Sequence, residues 1–413
     1  MELNGPLQST RLDPLAAPSL PQMEPDLPRV LGRCGDAEGP VLVCIAGLHG
    51  NEPTGVIALS SILRKLKESG LRVDGQFWGL AGNRGALSRG VRFETEDLNR
   101  MWTRERIQEL RSASDQTLLH TEDVEQYELL QLVDQILSNA RYEAYFLDLH
   151  TTSAESGPFA IIGDTLRNRD FALNFPVPII LGLEEQIEGA LLEHIGSRGA
   201  ITVGFEAGEH RSTLSIERHE AVIWVALVAS GLLKPSDCPP LSDYRRKLEN
   251  PSLGLPRFLE VRYRHPVTPG DSYETLPGFL NFQNIKKGER VAHDVRGPVE
   301  SPENGLLLMP LYQRQGTDGF FVVRRVHSFW LTLSRFLRRL QLERLLPLLP
   351  GIRKHPTLDD ALVVNRRVAR WRVLELSHLL GYRKRRIEQD RIVVIRRRHD
   401  MRSPFSLSRA GRK

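Results

Sequence analysis

Cysteine is scarce in this chain: Cys34, Cys44 and Cys238 are the three among 413 residues. An odd number at wide spacing excludes a disulfide framework and fits a reducing compartment, the cytoplasm. Long apolar runs are also missing. The longest nearly uncharged one, 221–233, falls short of the roughly 20 residues that a membrane-spanning helix needs. The first 28 residues lack the basic segment followed by an apolar one that marks a secretory signal. Their six prolines predict a flexible arm over 1–30.

What is present is a charge asymmetry. Residues 331–413 hold 22 Lys and Arg against 7 Asp and Glu, a net of +15. The remainder holds 34 basic and 44 acidic residues, a net of −10. The whole-chain net of +5 therefore describes an acidic body with a basic tail. It is no argument that the body binds nucleic acid.

Between about residues 31 and 235, apolar strand-like runs alternate with stretches of helical period. Val41–Ala46 is a continuous apolar run of the kind a buried parallel strand gives. A helical pattern follows from Thr54 to Glu68. Further strands are expected at Phe77–Leu80, Tyr145–Leu149, Phe159–Ile162, Pro178–Leu181 and Ile201–Phe205, with helices over Glu122–Asn139 and Leu214–Leu232. This alternation predicts an α/β domain on a mostly parallel or mixed sheet. From 236 to 330 the segments FLEVRYRH, GERVAHDV and GFFVVRRV, divided by Gly, Pro and Asn, predict a small all-β domain. Beyond it, 331–413 reads as a basic and mainly helical extension with one short strand at RIVVIRRR.

Of the 12 histidines, two stand where ligands gather in open α/β sheets, at the carboxyl ends of strands. His49 follows the Val41–Ala46 run within AGLHGNEPTG, three residues before Glu52; His150 ends the run FLDLH. Two histidines and a glutamate form a ligand class of catalytic zinc sites, in which a fourth position is kept for water. The glycines around His49 allow the loop to bend toward such an ion. Asp148, two residues before His150, points the same way on a strand and is placed to orient it.

Four motifs in order, GLHGNEPTG, RFETEDLNRMW, LDLHTTS and GFEAG, resemble the succinylglutamate desuccinylase/aspartoacylase family. The resemblance runs over about residues 39–330. It implies a zinc carboxypeptidase-like mixed-sheet domain and one zinc ion per chain, held by His49, Glu52 and His150. By the same resemblance Glu206 and Arg92 are catalytic, Arg92 near the scissile carbonyl. Asn99 and Arg100 of the DLNR motif then bind the substrate carboxylate, and Tyr312 of the later domain reaches the substrate pocket. The implied reaction is hydrolysis of a small acidic N-acyl amino acid, at an amide or an ester. The family's arginine ahead of the catalytic glutamate has no counterpart in register, the nearest basic residue being Arg198. That leaves the acyl group and the amino acid open.

Two other readings compete. One is a metallocarboxypeptidase acting on peptides. The other makes the tail the active part, a polyanion or anionic-membrane contact through runs such as 383–386 and 396–398. Because the tail lies beyond every catalytic motif, it is expected to be separable from catalysis.

Overall fold

The computed structural model describes residues 23, 26–36, 38–112, 121–358, 360–365, 373–388 and 391–405. Most of the expected arm lies outside them. The first unit contributes β1 (Val30–Gly35), β2 (Val41–Ala46), α1 (Thr54–Ser69), β3 (Gln76–Ala81), α2 (Arg84–Arg89), α3 (Arg104–Ser112) and α4 (Thr121–Asn139). It continues through β4 (Ala144–Thr152), β5 (Phe159–Ile162), α5 (Leu166–Ala172), β6 (Ile179–Leu181), α6 (Leu191–Ser197), β7 (Ile201–Glu209) and α7 (Thr213–Ala229).

Strand β2 is buried at all six positions because it runs parallel between β3 and β4 with a core on each face. Leu42, Cys44 and Ala46 enter one core; Val41, Val43 and Ile45 enter the other. That two-sided burial accounts for its uninterrupted apolar sequence. The 221–233 run belongs largely to α7, whose residues 221–227 are all buried as it packs against α1 and β7. It is an internal helix.

Helix α8 (Leu241–Glu249) leads into β8 (Phe258–Pro266), β9 (Glu274–Thr275), β10 (Asn284–Ile285), β11 (Arg290–Asp294), β12 (Gly297–Glu300), β13 (Gly305–Leu308) and β14 (Asp318–Arg325). The expected strands are there, but they do not all stand apart as a separate β-unit. β8, β14, β13 and β10 complete one 11-stranded sheet in the order β1-β3-β2-β4-β7-β5-β6-β8-β14-β13-β10, and β9, β11 and β12 form a small sheet beside it.

The extension departs from expectation. It holds α9 (Ser328–Arg339), a 3-10 segment at Leu342–Leu348, β15 (Ile352–Lys354), β16 (Ala361–Asn365), α10 (Val373–Leu379), β17 (Tyr382–Glu388) and β18 (Arg391–Arg396). The four strands form an antiparallel sheet, β15-β16-β18-β17, so among the described residues the extension joins its helices to a sheet and is α/β rather than mainly helical. The β-branched residues Val363, Val364, Ile392, Val393 and Val394 favour the pleated surface. Leu362, Val364 and Val394 fill a small core with Leu346, Ile352 and Tyr382.

Nor does the extension stand apart. Arg338 is buried and bonds Asp164, Asp400 and the His378 carbonyl. Arg397 bonds Glu184 and Glu185. Asp400 accepts from the Leu166 amide at the start of α5, and Phe405 enters a core of the first unit. The opposite charges of tail and body meet within the chain. The tail thus packs against the body, and truncation tests whether it is separable from catalysis.

Candidate active site

Three neighbouring parallel strands build the site. β2 runs into the loop that carries His49 and Glu52. β4 carries Asp148 and His150, and β7 carries Glu206 in register with His150. The loop after β2 needs two glycines. Gly47 has φ +74, and a side chain on Gly50 would put its Cβ 2.0 Å from the Ala86 carbonyl carbon. Glycine alone tolerates both.

His49, Glu52 and His150 are buried, and their donor atoms lie within 4.8 Å of one another. Glu52 stands between the rings: Oε1 is 2.8 Å from His49 Nδ1, and Oε2 is 3.2 Å from His150 Nδ1. The outer ring nitrogens meet aspartates, His49 Nε2 at 3.1 Å from Asp97 and His150 Nε2 at 2.8 Å from Asp148. In the neutral rings, an Nε2–H donating outward would leave an Nδ1 lone pair facing inward, the carboxylate–histidine arrangement found behind metal ligands. Burial opposes charge on Glu52 and His150. For Glu52 the two histidines outweigh it and hold its carboxyl well below the usual range. For His150, Asp148 and Glu52 outweigh it and raise the ring well above its usual value.

Glu206 differs. It is buried, its Oε2 has no hydrogen-bond partner among the described residues, and burial raises it to about 8. Nearby Glu52 and Asp148 push the same way, against His150. A buried carboxyl with a free oxygen and such a value suits proton transfer near neutral pH.

Arg92 is anchored, with Nε and Nη2 on Asp97 Oδ2 at 3.2 and 3.0 Å and Nη1 3.6 Å from Glu52. Asp97 also caps the turn at Leu98–Arg100 by accepting from the Asn99 amide, which sets the DLNR segment beside the cluster. Asn99 Oδ1 accepts from Leu191 at the start of α6, leaving its amide nitrogen for a ligand. Arg100 donates from Nη2 to Asp318 at 2.7 Å and from Nη1 to the Asn99 carbonyl at 2.9 Å, while its buried Nε has no partner among the described residues.

His49, Glu52, His150, Arg92, Asn99 and Arg100 line one cavity of about 290 Å³ together with Glu206, His210 and Gln313. Tyr312 does not line it. Its hydroxyl donates to the Leu276 carbonyl at 2.8 Å, outside the pocket. The next residue, Gln313, faces the site and accepts from Asn51 Nδ2 at 2.6 Å. Arg198 binds Asp134 and takes no part.

Sequence reasoning passed over three contributors. His219, whose ring burial lowers to about 3, sits with Nε2 3.1 Å from the His150 carbonyl and props the strand from below. Asp318 holds Arg100. Arg383 and 395–399 of the tail line the far end of the cavity. A lone helical histidine and a distant strand start carry no spacing signal. Only the fold joins them to the site.

The fold and the buried cluster thus define an α/β protein with a His–Glu–His candidate metal centre at its strand ends. Residues 38–223 match the family model of the Succinylglutamate desuccinylase/Aspartoacylase catalytic domain, and this part of the chain belongs to that family. Similar solved structures include a succinylglutamate desuccinylase/aspartoacylase from Rhodobacter sphaeroides, at 18% identity and TM-score 0.52 over 71% of this chain and 88% of that one. The succinylglutamate desuccinylase of Vibrio cholerae gives 18% and 0.50 over 70% and 82%. The product-bound ectoine utilization protein EutE (DoeB) of Ruegeria pomeroyi gives 18% and 0.50 over 71% and 87%. At these identities the likeness is one of fold. No curated protein matches the sequence.

Proposed function

We propose that the protein is a zinc-dependent hydrolase that removes an acyl group from a small acidic N-acyl amino acid, at an amide or ester bond, in the cytoplasm. The observation that carries this reading is the buried His49–Glu52–His150 cluster with the unpaired Glu206 oxygen facing the same cavity. The donor set fits zinc: two imidazole nitrogens and a carboxylate oxygen face inward, with aspartates behind both rings. A zinc ion held there supplies Lewis acidity.

The chain's own groups do the rest. Glu206 takes the proton of the attacking water and returns it to the leaving nitrogen. Water adds to the acyl carbon, the carbon–nitrogen bond breaks, and a carboxylic acid and an amine result. Arg92, fixed by Asp97, faces the developing oxyanion, where one good donor is worth about 3 kcal/mol. Asn99 and Arg100, whose Nε is unpaired among the described residues, take the substrate carboxylate. Thr202, Gly204 and Glu206 alternate along one face of β7 and all line the cavity. The cavity therefore follows β7 for about 13 Å, past Ile161 and Leu192, and we place the acyl group there.

The test is a hydrolysis screen of N-acyl amino acids, N-acyl esters and unblocked peptides with zinc-loaded protein. Turnover of acylated amino acids, abolished by chelation, is expected. Glu206→Gln should lower it about 10²–10⁴-fold with metal retained. Cleavage of peptides alone would favour the carboxypeptidase reading, and no hydrolysis of any of these would contradict both.

A further inference from the structure

Helix α9 is built the reverse way round. Ser334 and Arg338, each 1% exposed, face the body, while Phe329, Phe336 and Leu340 are 59%, 59% and 53% exposed. At 3.6 residues per turn Phe329, Leu333, Phe336 and Leu340 fall in one stripe about 16 Å long, opposite Ser334 and Arg338. The ion pairs that anchor the helix occupy its inner face, so its apolar face is left outward. Trp330 widens the patch, and Leu345, Leu348 and Leu349 prolong it through the 3-10 segment, Leu348 at 78% exposure. A contiguous apolar surface of this kind marks a partner.

Charge selects the partner. Residues 325–358 carry seven Lys and Arg and one acid, Glu343, which is buried and paired with Arg396. Arg325, Arg339, Arg344, Arg353 and Lys354 are exposed. A second copy of the chain, meeting this face about a twofold axis, would set the cations against themselves. An aromatic and leucine stripe flanked by exposed cations matches a helix lying in the interface of an anionic bilayer. No described helix is long and apolar enough to cross one. We propose that α9 and residues 342–349 dock the protein on an anionic lipid surface, a contact that does not rest on the hydrolase reading.

The full chain should co-sediment with vesicles of phosphatidylcholine and phosphatidylglycerol, less so at high salt, and far less with phosphatidylcholine alone. Phe336→Ser with Leu340→Ser should lower the bound fraction roughly tenfold or more, as should Arg339→Glu with Arg344→Glu. All four side chains are exposed, so thermal stability should hold; if the serine pair expresses poorly, the glutamate pair carries the test. Absence of binding to the mixed vesicles, or equal binding by the folded variants, would overturn the proposal. A concentration-dependent dimer dispersed by the serine pair would overturn it too, by showing that a second copy covers the stripe.

Discussion

Asp148 Oδ2 lies 2.8 Å from His150 Nε2, and both side chains are buried on the same face of β4. The aspartate thereby fixes which ring nitrogen faces Glu52. Asp148→Asn preserves shape and removes the charge behind the ring. Metal affinity should fall about 10–100-fold with the fold intact, measured by competition with a chromophoric chelator. Unchanged affinity would remove Asp148 from the site.

Gly204 sets the width of the cavity. A Cβ there would meet Leu192 and Ile161 at 3.6 and 3.7 Å, ordinary contact distances. Gly204→Val should therefore fold and keep its metal while filling the path along β7. The expected loss in kcat/KM is roughly tenfold or more for long acyl chains and smaller for acetyl. A uniform loss across chain lengths would place the acyl group elsewhere.

Arg338 ties the extension to the body through Asp164 and Asp400. Replacing it by alanine takes the cation from Asp400 and leaves Asp164 with Arg169 alone, which costs about 3 kcal/mol. Denaturant unfolding should show that loss, and truncation after Val326 should abolish soluble expression. A stable, active truncated chain would restore the separable tail.

His378, on α10, bridges Glu185 at 3.2 Å and Glu260 at 3.4 Å. Burial opposes its charge, but the two carboxylates outweigh burial and hold it at about 9. Raised above the unfolded value of about 6.5, it contributes stability in full below that pH, and loses it as the pH climbs through 9. The contribution is at most about 3 kcal/mol. His378→Gln should flatten stability between pH 6.5 and 9, and an unchanged pH slope would contradict the assignment.

Much of the site was legible in the sequence. His49, Glu52 and His150 follow apolar runs that double burial marks, Asp148 is two residues from His150 on a strand, and Glu206 was reached only through the family resemblance of GFEAG. The tail was not. Its arginines repeat at near-helical spacing over 361–386, yet Ala361–Asn365 and Tyr382–Glu388 are strands. The pairs that dock it, Arg338 with Asp164 and Arg397 with Glu184, join residues more than 170 positions apart, and no local pattern carries such information. Tyr312 shows the converse: a short match chose the residue beside the one that faces the cavity.

The most direct measurement is metal content by mass spectrometry on the purified chain beside a His49→Ala, His150→Ala variant. About one zinc per chain, falling to none in the variant, is the expected result. Full zinc retention in the variant, or no binding by the parent chain after zinc loading, would contradict the assigned centre.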